Sequence, residues 1–144
     1  MNNLKELKVF IVDDEIYYLN ILAQHIQNLG CHEVTLFTNG ADCLAELPER
    51  PDVIFLDYRM DTLSGFDVLK SIKRYDSDIF IVIISGQSDI KVAVDSLKYG
   101  AFEYIKKGDM VGDNIENVLE RILEVKSLLN QAKPNLLRKL FQFF

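Results

Sequence analysis

Cysteine is nearly absent from this sequence, and so are the segments that carry a chain into or across a membrane. Cys31 and Cys43 form no CxxC pair and have no histidine cluster near them. That spacing excludes a zinc ribbon and points to two free thiols in a reducing compartment. No apolar run approaches the roughly 20 residues that a membrane span needs, and Lys5, Glu6 and Lys8 follow the N-terminus too closely for a secretory signal. The expectation is a cytoplasmic domain. Positive charge is also in short supply. The net charge of −6 argues against a nucleic-acid partner held through its phosphates. The deficit is local: residues 126–144 hold Lys126, Lys133, Arg138 and Lys139 and no acid, which leaves −10 on residues 1–125.

What is present is a regular alternation. Short apolar runs at 8–12, 33–37, 52–57, 79–84 and 102–105 read as strands. The third and fourth are continuous enough to be buried on both faces, and the fourth, the most hydrophobic, is expected to be central. The second alternates and is expected near a sheet edge. Between them lie stretches of helical period. Ile16, Leu19, Leu22, Ala23 and Ile26 are expected to face inward, and Gly30 to close that helix in the left-handed region. A short helix capped by Asn39 carries Ala41, Leu44 and Leu47 and is closed by Pro48 and Pro51. The next starts at Ser64 or Thr62 and points Phe66, Leu69 and Ile72 inward. Ser88 or Asp89 caps a fourth helix through Val92, Ala93 and Leu97, ended by Gly100. Ile115, Val118, Leu119, Ile122 and Leu123 mark a last one to about residue 130. Five β-α units in series predict an α/β fold with a parallel sheet, helices on both faces and right-handed crossovers.

The chemistry stands at the ends of these strands, where open α/β sheets handle ligands. The first ends in Asp13 and Asp14, the third in Asp57, the fourth in Ser85 and Gly86, the fifth in Lys106, Lys107 and Gly108. Taken alone, Asp57 has three uses: metal ligand, nucleophile or cap of the next turn. Asp13, Asp14 and Ser85 each have a capping use as well, and a lysine is ordinarily a solvated one. Together they form a constellation. Three carboxylates at neighbouring strand ends repel unless compensated, and a hard divalent cation such as Mg²⁺ is the natural remedy beside a phosphate. A hydroxyl and an ammonium across the cleft would neutralise phosphoryl oxygens, and a carboxylate can itself be the nucleophile. The residues read as Mg²⁺-assisted phosphoryl transfer onto Asp57.

Over roughly residues 6–128 the chain resembles the receiver domains of two-component response regulators. The resemblance is carried by Val9-Phe10-Ile11-Val12-Asp13-Asp14-Glu15, by Val53-Ile54-Phe55-Leu56-Asp57-Tyr58-Arg59-Met60 with Ser64-Gly65, by Ile83-Ile84-Ser85-Gly86, and by the run from Gly100 to Lys107. It implies a doubly wound, flavodoxin-like (βα)5 sheet of order 2-1-3-4-5. It implies that Asp57 accepts phosphate from a histidine kinase or phosphotransfer protein, with Asp14 a direct Mg²⁺ ligand, Asp13 helping through water, and the Arg59 backbone carbonyl completing the metal site. Ser85 would bond the phosphoryl group and Tyr104 would follow it as the aromatic switch. The family's lysine stands seven residues after the glycine of Gly100-Ala101, which selects Lys107 over Lys106. Arg59 and Gln87 stand at positions that in the family flank the phosphoryl group and tune its lifetime, and the resemblance implies the same role here. Two prolines usual in the family are replaced, by Asp61 and by Gly108. The second replacement removes an expected cis peptide and leaves the orientation of Lys107 less fixed.

The expectation is a phosphorelay switch and phosphoprotein in a two-component system, not an enzyme, with at most slow self-dephosphorylation. Its output would be the face formed by the fourth helix, fifth strand and fifth helix, acting on a downstream protein or a second copy. Phosphatases that share an aspartate nucleophile want a second aspartate where Arg59 stands. A receiver-fold docking domain that works without phosphate is the alternative, resting on Asp61 and Gly108. The receiver is expected over 1–128, with no output domain following. Residues 129–144 are expected to be a basic amphipathic tail, helical from near Pro134. Leu136, Leu137, Leu140, Phe141, Phe143 and Phe144 fall on one side and Asn135, Arg138, Lys139 and Gln142 on the other. Packing on the domain or on another copy suits this tail best, then a partner groove, and last a membrane surface, since so short an apolar face anchors weakly.

Overall fold

The structure, a computed structural model, describes residues 3–86, 90–108 and 110–141, with side chains to residue 132. Five strands, β1 (Lys8–Val12), β2 (Glu33–Phe37), β3 (Val53–Asp57), β4 (Phe80–Ser85) and β5 (Glu103–Lys106), alternate with five helices. These are α1 (Ile16–Asn28), α2 (Gly40–Ala45), α3 (Gly65–Tyr75), α4 (Ile90–Lys98) and α5 (Val111–Phe141). All strand pairs are parallel and the sheet order is β2-β1-β3-β4-β5. β3 is the middle strand and is buried along its whole length. β4, expected to be central, lies one place over, between β3 and β5.

Alternation along the strands builds two cores. Val9, Ile11, Val53, Phe55, Val82, Ile84 and Ile105 pack under α1 and α5, against Leu19, Leu22, Ile26, Ile115, Val118, Leu119 and Ile122. Phe10, Val12, Ile54, Leu56, Ile81 and Ile83 pack on the other face against Cys43 of α2 and Val68, Leu69 and Ile72 of α3. Burial of apolar surface on both faces is the main force holding the sheet between its helices. The winding reverses between β1 and β3, because the chain leaves β1 for the β2 edge and returns on the other side. That reversal opens a crevice at the carboxyl ends of β1 and β3.

Local signals set the ends of these elements. Asn39 Oδ1 accepts the N–H of Asp42 at 2.8 Å, and Ser64 Oγ accepts that of Asp67 at 3.2 Å, capping α2 and α3. Gly30 takes φ +116° just past α1, with its N–H donated to Gln27 and that of Cys31 to Ile26.

Several expectations are corrected. Ile16 is 62% exposed, because as the first residue of α1 it precedes the turns that lie on the sheet. In α2, Ala41 is exposed and Cys43 is the inward residue. Leu47 and Pro48 do not continue or simply close α2, but form a separate 3-10 turn, Leu47–Glu49. Phe66 is only partly buried, and Val68 takes the inward place beside Leu69 and Ile72. In α4, Leu97 is exposed and Ser96 is fully buried. The Ser96 hydroxyl donates to the Val92 carbonyl at 2.8 Å, which satisfies it inside the helix. The expected caps Ser88 and Asp89 lie outside the described residues. No new helix begins near Pro134, since α5 runs unbroken through it to Phe141. An interior proline loses its N–H donor and crowds the carbonyl four residues back, but the helical backbone continues on both sides of it. The side chains of the tail, with Phe143 and Phe144, lie outside what the structure describes.

Both thiols are buried, and burial pushes Cys31 up to about 11 and Cys43 up to about 12. Neither is a thiolate at neutral pH. A thiol reagent at pH 8 is therefore expected to leave the native protein unmodified over minutes, and to titrate both cysteines once guanidinium unfolds it.

Candidate functional site

The parallel register brings the acidic strand ends together. Val12 pairs with Leu56 and Asp57 with Ile84, so Asp13 follows β1 at the level of Asp57 and Ser85 follows one step beyond on β4. Backbone bonds just past the strands lock this level. Asp13 N–H donates to the Phe37 carbonyl at 3.1 Å, Tyr58 N–H to Ile84, and Lys107 N–H to Ser85 at 2.8 Å. Gly65 N–H donates to the Tyr58 carbonyl at 2.8 Å. A Cβ on Gly65 would run into the backbone of Asp57 and Tyr58, so the start of α3 can approach the Asp57 loop only as glycine.

Asp13 and Asp57 are buried and Asp14 is exposed at the rim. Lys107 Nζ bridges the two buried carboxylates, 3.0 Å from Asp13 Oδ2 and 3.2 Å from Asp57 Oδ1. The other Asp13 oxygen accepts the Glu15 N–H at 2.9 Å. Asp14, Glu15, Asp57, Arg59, Gly86 and Lys107 line an open cleft of about 430 Å³. Ser85 is buried at the end of β4, one residue before the glycine that lines the cleft. Lys106, the last residue of β5, is exposed and stands opposite Ser85 in the ladder. Tyr104 lies mid-strand on β5, partly buried against the α3-side core. Gln87 lies outside the described residues. No peptide among the described residues is cis.

Charge is unbalanced here. Burial, then the neighbouring Asp13 carboxylate, pushes Asp57 up to about 6, against the pull of Lys107. Burial works to lower the Lys107 ammonium, but its hydrogen bonds and charge contacts with Asp13 and Asp57 prevail and hold it above its ordinary value. One ammonium does not offset three carboxylates. One oxygen from each of Asp13, Asp14 and Asp57 lies within 4.8 Å of the others. Three hard oxygen donors, two buried and one at the solvent edge, fit a Mg²⁺ that keeps part of its water.

One neighbour was not anticipated from the sequence. Tyr18, on the first turns of α1, sets its ring 4.1 Å from Lys107 Nζ. Residue order carried no signal for it, since Asp14 lies before the N-cap Glu15 and shares no helical face with Tyr18.

Comparison with known proteins agrees with this geometry. The sequence pattern of the response regulator receiver domain matches residues 9–120, and the chain belongs to that family. It is 30% identical over 129 residues to the transcriptional regulatory protein ZraR of Escherichia coli O157:H7, covering 89% of this chain and 29% of ZraR. The chain thus spans under a third of the length of that relative. Among solved structures, it is similar to a response regulator receiver domain protein from Clostridium thermocellum, with TM-score 0.79, 28% identity, and coverage of 85% of this chain and 98% of that one. The receiver domain of NtrX from Brucella abortus gives TM-score 0.74 at 31% identity, covering 81% and 98%. Receiver domains take part in phosphoacceptor signalling and bind Mg²⁺ at an acidic pocket of this kind.

The raised Asp57 makes a signed prediction for protein kept in chelator. A carboxyl whose folded value exceeds its unfolded one adds stability below about pH 4 and loses it as pH rises through about 6. Asp57→Asn is therefore expected to match the wild type near pH 4 and to exceed it by about 2 kcal/mol at pH 7.5, read from urea unfolding.

Proposed function

We propose that Asp57 is the phosphoacceptor of a signalling switch and takes its phosphoryl group from a histidine kinase or a histidine phosphotransfer protein. The observation that carries this reading is the buried Asp57 carboxylate at the end of β3, facing an open cleft and held by a lysine that also holds Asp13. A Asp57 oxygen attacks phosphorus, the P–N bond to the donor imidazole breaks, and an acyl phosphate remains. A value near 6 leaves most of the carboxylate ionised, and so nucleophilic, at neutral pH. Bound Mg²⁺, held by Asp13, Asp14, Asp57 and the Arg59 carbonyl, would supply charge neutralisation at the phosphoryl oxygens. Lys107 then shifts from the carboxylate to a phosphoryl oxygen, and Ser85 hydrogen-bonds another. Tyr104 follows Ser85 and biases a pre-existing equilibrium between two surfaces.

The surface read by a partner is the one built by α4, β5 and α5. Support comes from α4, which turns Ile90, Val94 and Leu97 to solvent although each is a large apolar side chain. A kinase and a downstream effector are what a receiver domain implies. The effector contacted directly by this chain is a protein or a second copy; transcriptional regulation is the named role of the much longer relative ZraR. The chain works as a switch and not as a turnover enzyme: Arg59 occupies the place where an aspartate-nucleophile phosphatase needs a general acid. No helix among the described residues is long and apolar enough to cross a membrane.

Intact mass after incubation with Mg²⁺ and acetyl phosphate tests the reading. A single adduct of about 80 Da is expected, absent from Asp57→Ala and removed by hydroxylamine, as for an acyl phosphate. No adduct, together with no binding of BeF₃⁻ and Mg²⁺, would favour a docking domain that works without phosphate. Arg59 lines the cleft, and Arg59→Ala is expected to shorten the life of the adduct several-fold by opening it to water. An unchanged decay rate would remove Arg59 from that role.

A further inference from the structure

Lys107 is poorly held by its own loop. Its N–H bond to Ser85 fixes the end of β5, but the next residue is Gly108, where an added Cβ would meet nothing within 4 Å. Neither backbone restriction nor packing at that position aims the lysine. What stands beside the ammonium is Tyr18, 4.1 Å from Nζ to the ring centroid. The Tyr18 hydroxyl is buried and has no hydrogen-bond partner among the described residues. Burial, joined by the charges of Asp13, Asp57 and Glu15 and opposed by Lys107, keeps the phenol above its ordinary value and therefore neutral. The part of this residue that serves the site is the ring face.

We infer that Tyr18 is a positioning residue for Lys107, its ring holding the ammonium at the mouth between Asp13 and Asp57. This rests on Asp57 being the phosphoacceptor. An aromatic face attracts a cation without accepting an N–H in the way a carboxylate does. It therefore leaves the three ammonium donors to Asp13, Asp57 and an incoming phosphoryl oxygen. When phosphorylation replaces the Asp57 oxygen by a more distant one, the ring contact persists and the ammonium turns upon it. The same contact ties α1 to the loop after β5, where Gly108 gives no such tie.

The test compares two substitutions in the full chain with acetyl phosphate and Mg²⁺. Tyr18→Phe keeps the ring and is expected to be phosphorylated at the wild-type rate. Tyr18→Leu keeps an apolar side chain without a π face and is expected to be about tenfold slower. Adding Lys107→Ala to Tyr18→Leu should then slow the reaction no further than Lys107→Ala alone, since both changes remove one interaction. Tyr18→Leu at the wild-type rate, or Tyr18→Phe as slow as Tyr18→Leu, overturns the inference. A second readout needs no activity. The Lys107 ε-methylene protons should resonate upfield of the other lysines in wild type and Tyr18→Phe, through the ring current, and return in Tyr18→Leu. Unshifted protons in the wild type overturn the inference even if the leucine variant does not fold. A shifted resonance in a wild-type protein that takes no phosphate and binds no BeF₃⁻ would sink the phosphoacceptor reading and leave the ring contact standing.

Discussion

The placement of one ammonium between two buried carboxylates is the constraint to which the rest of this site is fitted. Asp13 and Asp57 arrive at the same level because β1 and β3 are neighbours in a parallel sheet, and that adjacency forces like charges together in a partly dry crevice. Lys107, just past the far edge strand of the sheet, reaches both. The compensation is incomplete, one ammonium facing three carboxylates, and burial with the Asp13 charge holds Asp57 above its ordinary value. A site left short of positive charge is primed for a cation and for the redistribution of charge that phosphoryl transfer brings. The two cores above and below the sheet make this tolerable, because they fix the strand ends by apolar burial that does not depend on the charges.

Strands were more legible in the sequence than helix faces, for a physical reason. A strand buried on both sides is a continuous apolar run closed by a polar residue, an edge strand an alternating one, and all five were placed to within a residue at each end. Helix faces were read from large apolar side chains, and the reading failed where a small residue occupies the inward place. Ser96 and Cys43 are fully buried, while Leu97 and Ala41 face outward. Pro134 misled for a different cause: proline opens a helix and sits inside a long one with the same letters around it. Only the continuous backbone of α5 separates the two cases.

The site was legible as a set of chemical groups at strand ends, because topology converts ends of strands into neighbours. Its supports were not. Tyr18 looks like any aromatic in the first turns of an amphipathic helix, and its contact with Lys107 spans most of the chain. Gly65 stood in the sequence only as a companion to Ser64, yet the closeness of its backbone to Asp57 decides how near α3 can come. Both depend on approach distances, which residue order does not encode.

The length of α5 has a mechanical consequence. Lys126 Nζ grips Asp52 Oδ1 at 2.6 Å, and the other Asp52 oxygen accepts the Lys8 N–H, which pins the helix to the base of the sheet. Beyond that pin the helix continues for 15 residues to Phe141, about 22 Å of rod at 1.5 Å per residue. A tilt of about 10° where α5 leaves the sheet would sweep its far end through about 4 Å. Small rearrangements around β5 would thus reach the end of α5 as a change of direction, and anything that grips that end would feel leverage rather than a local change of surface.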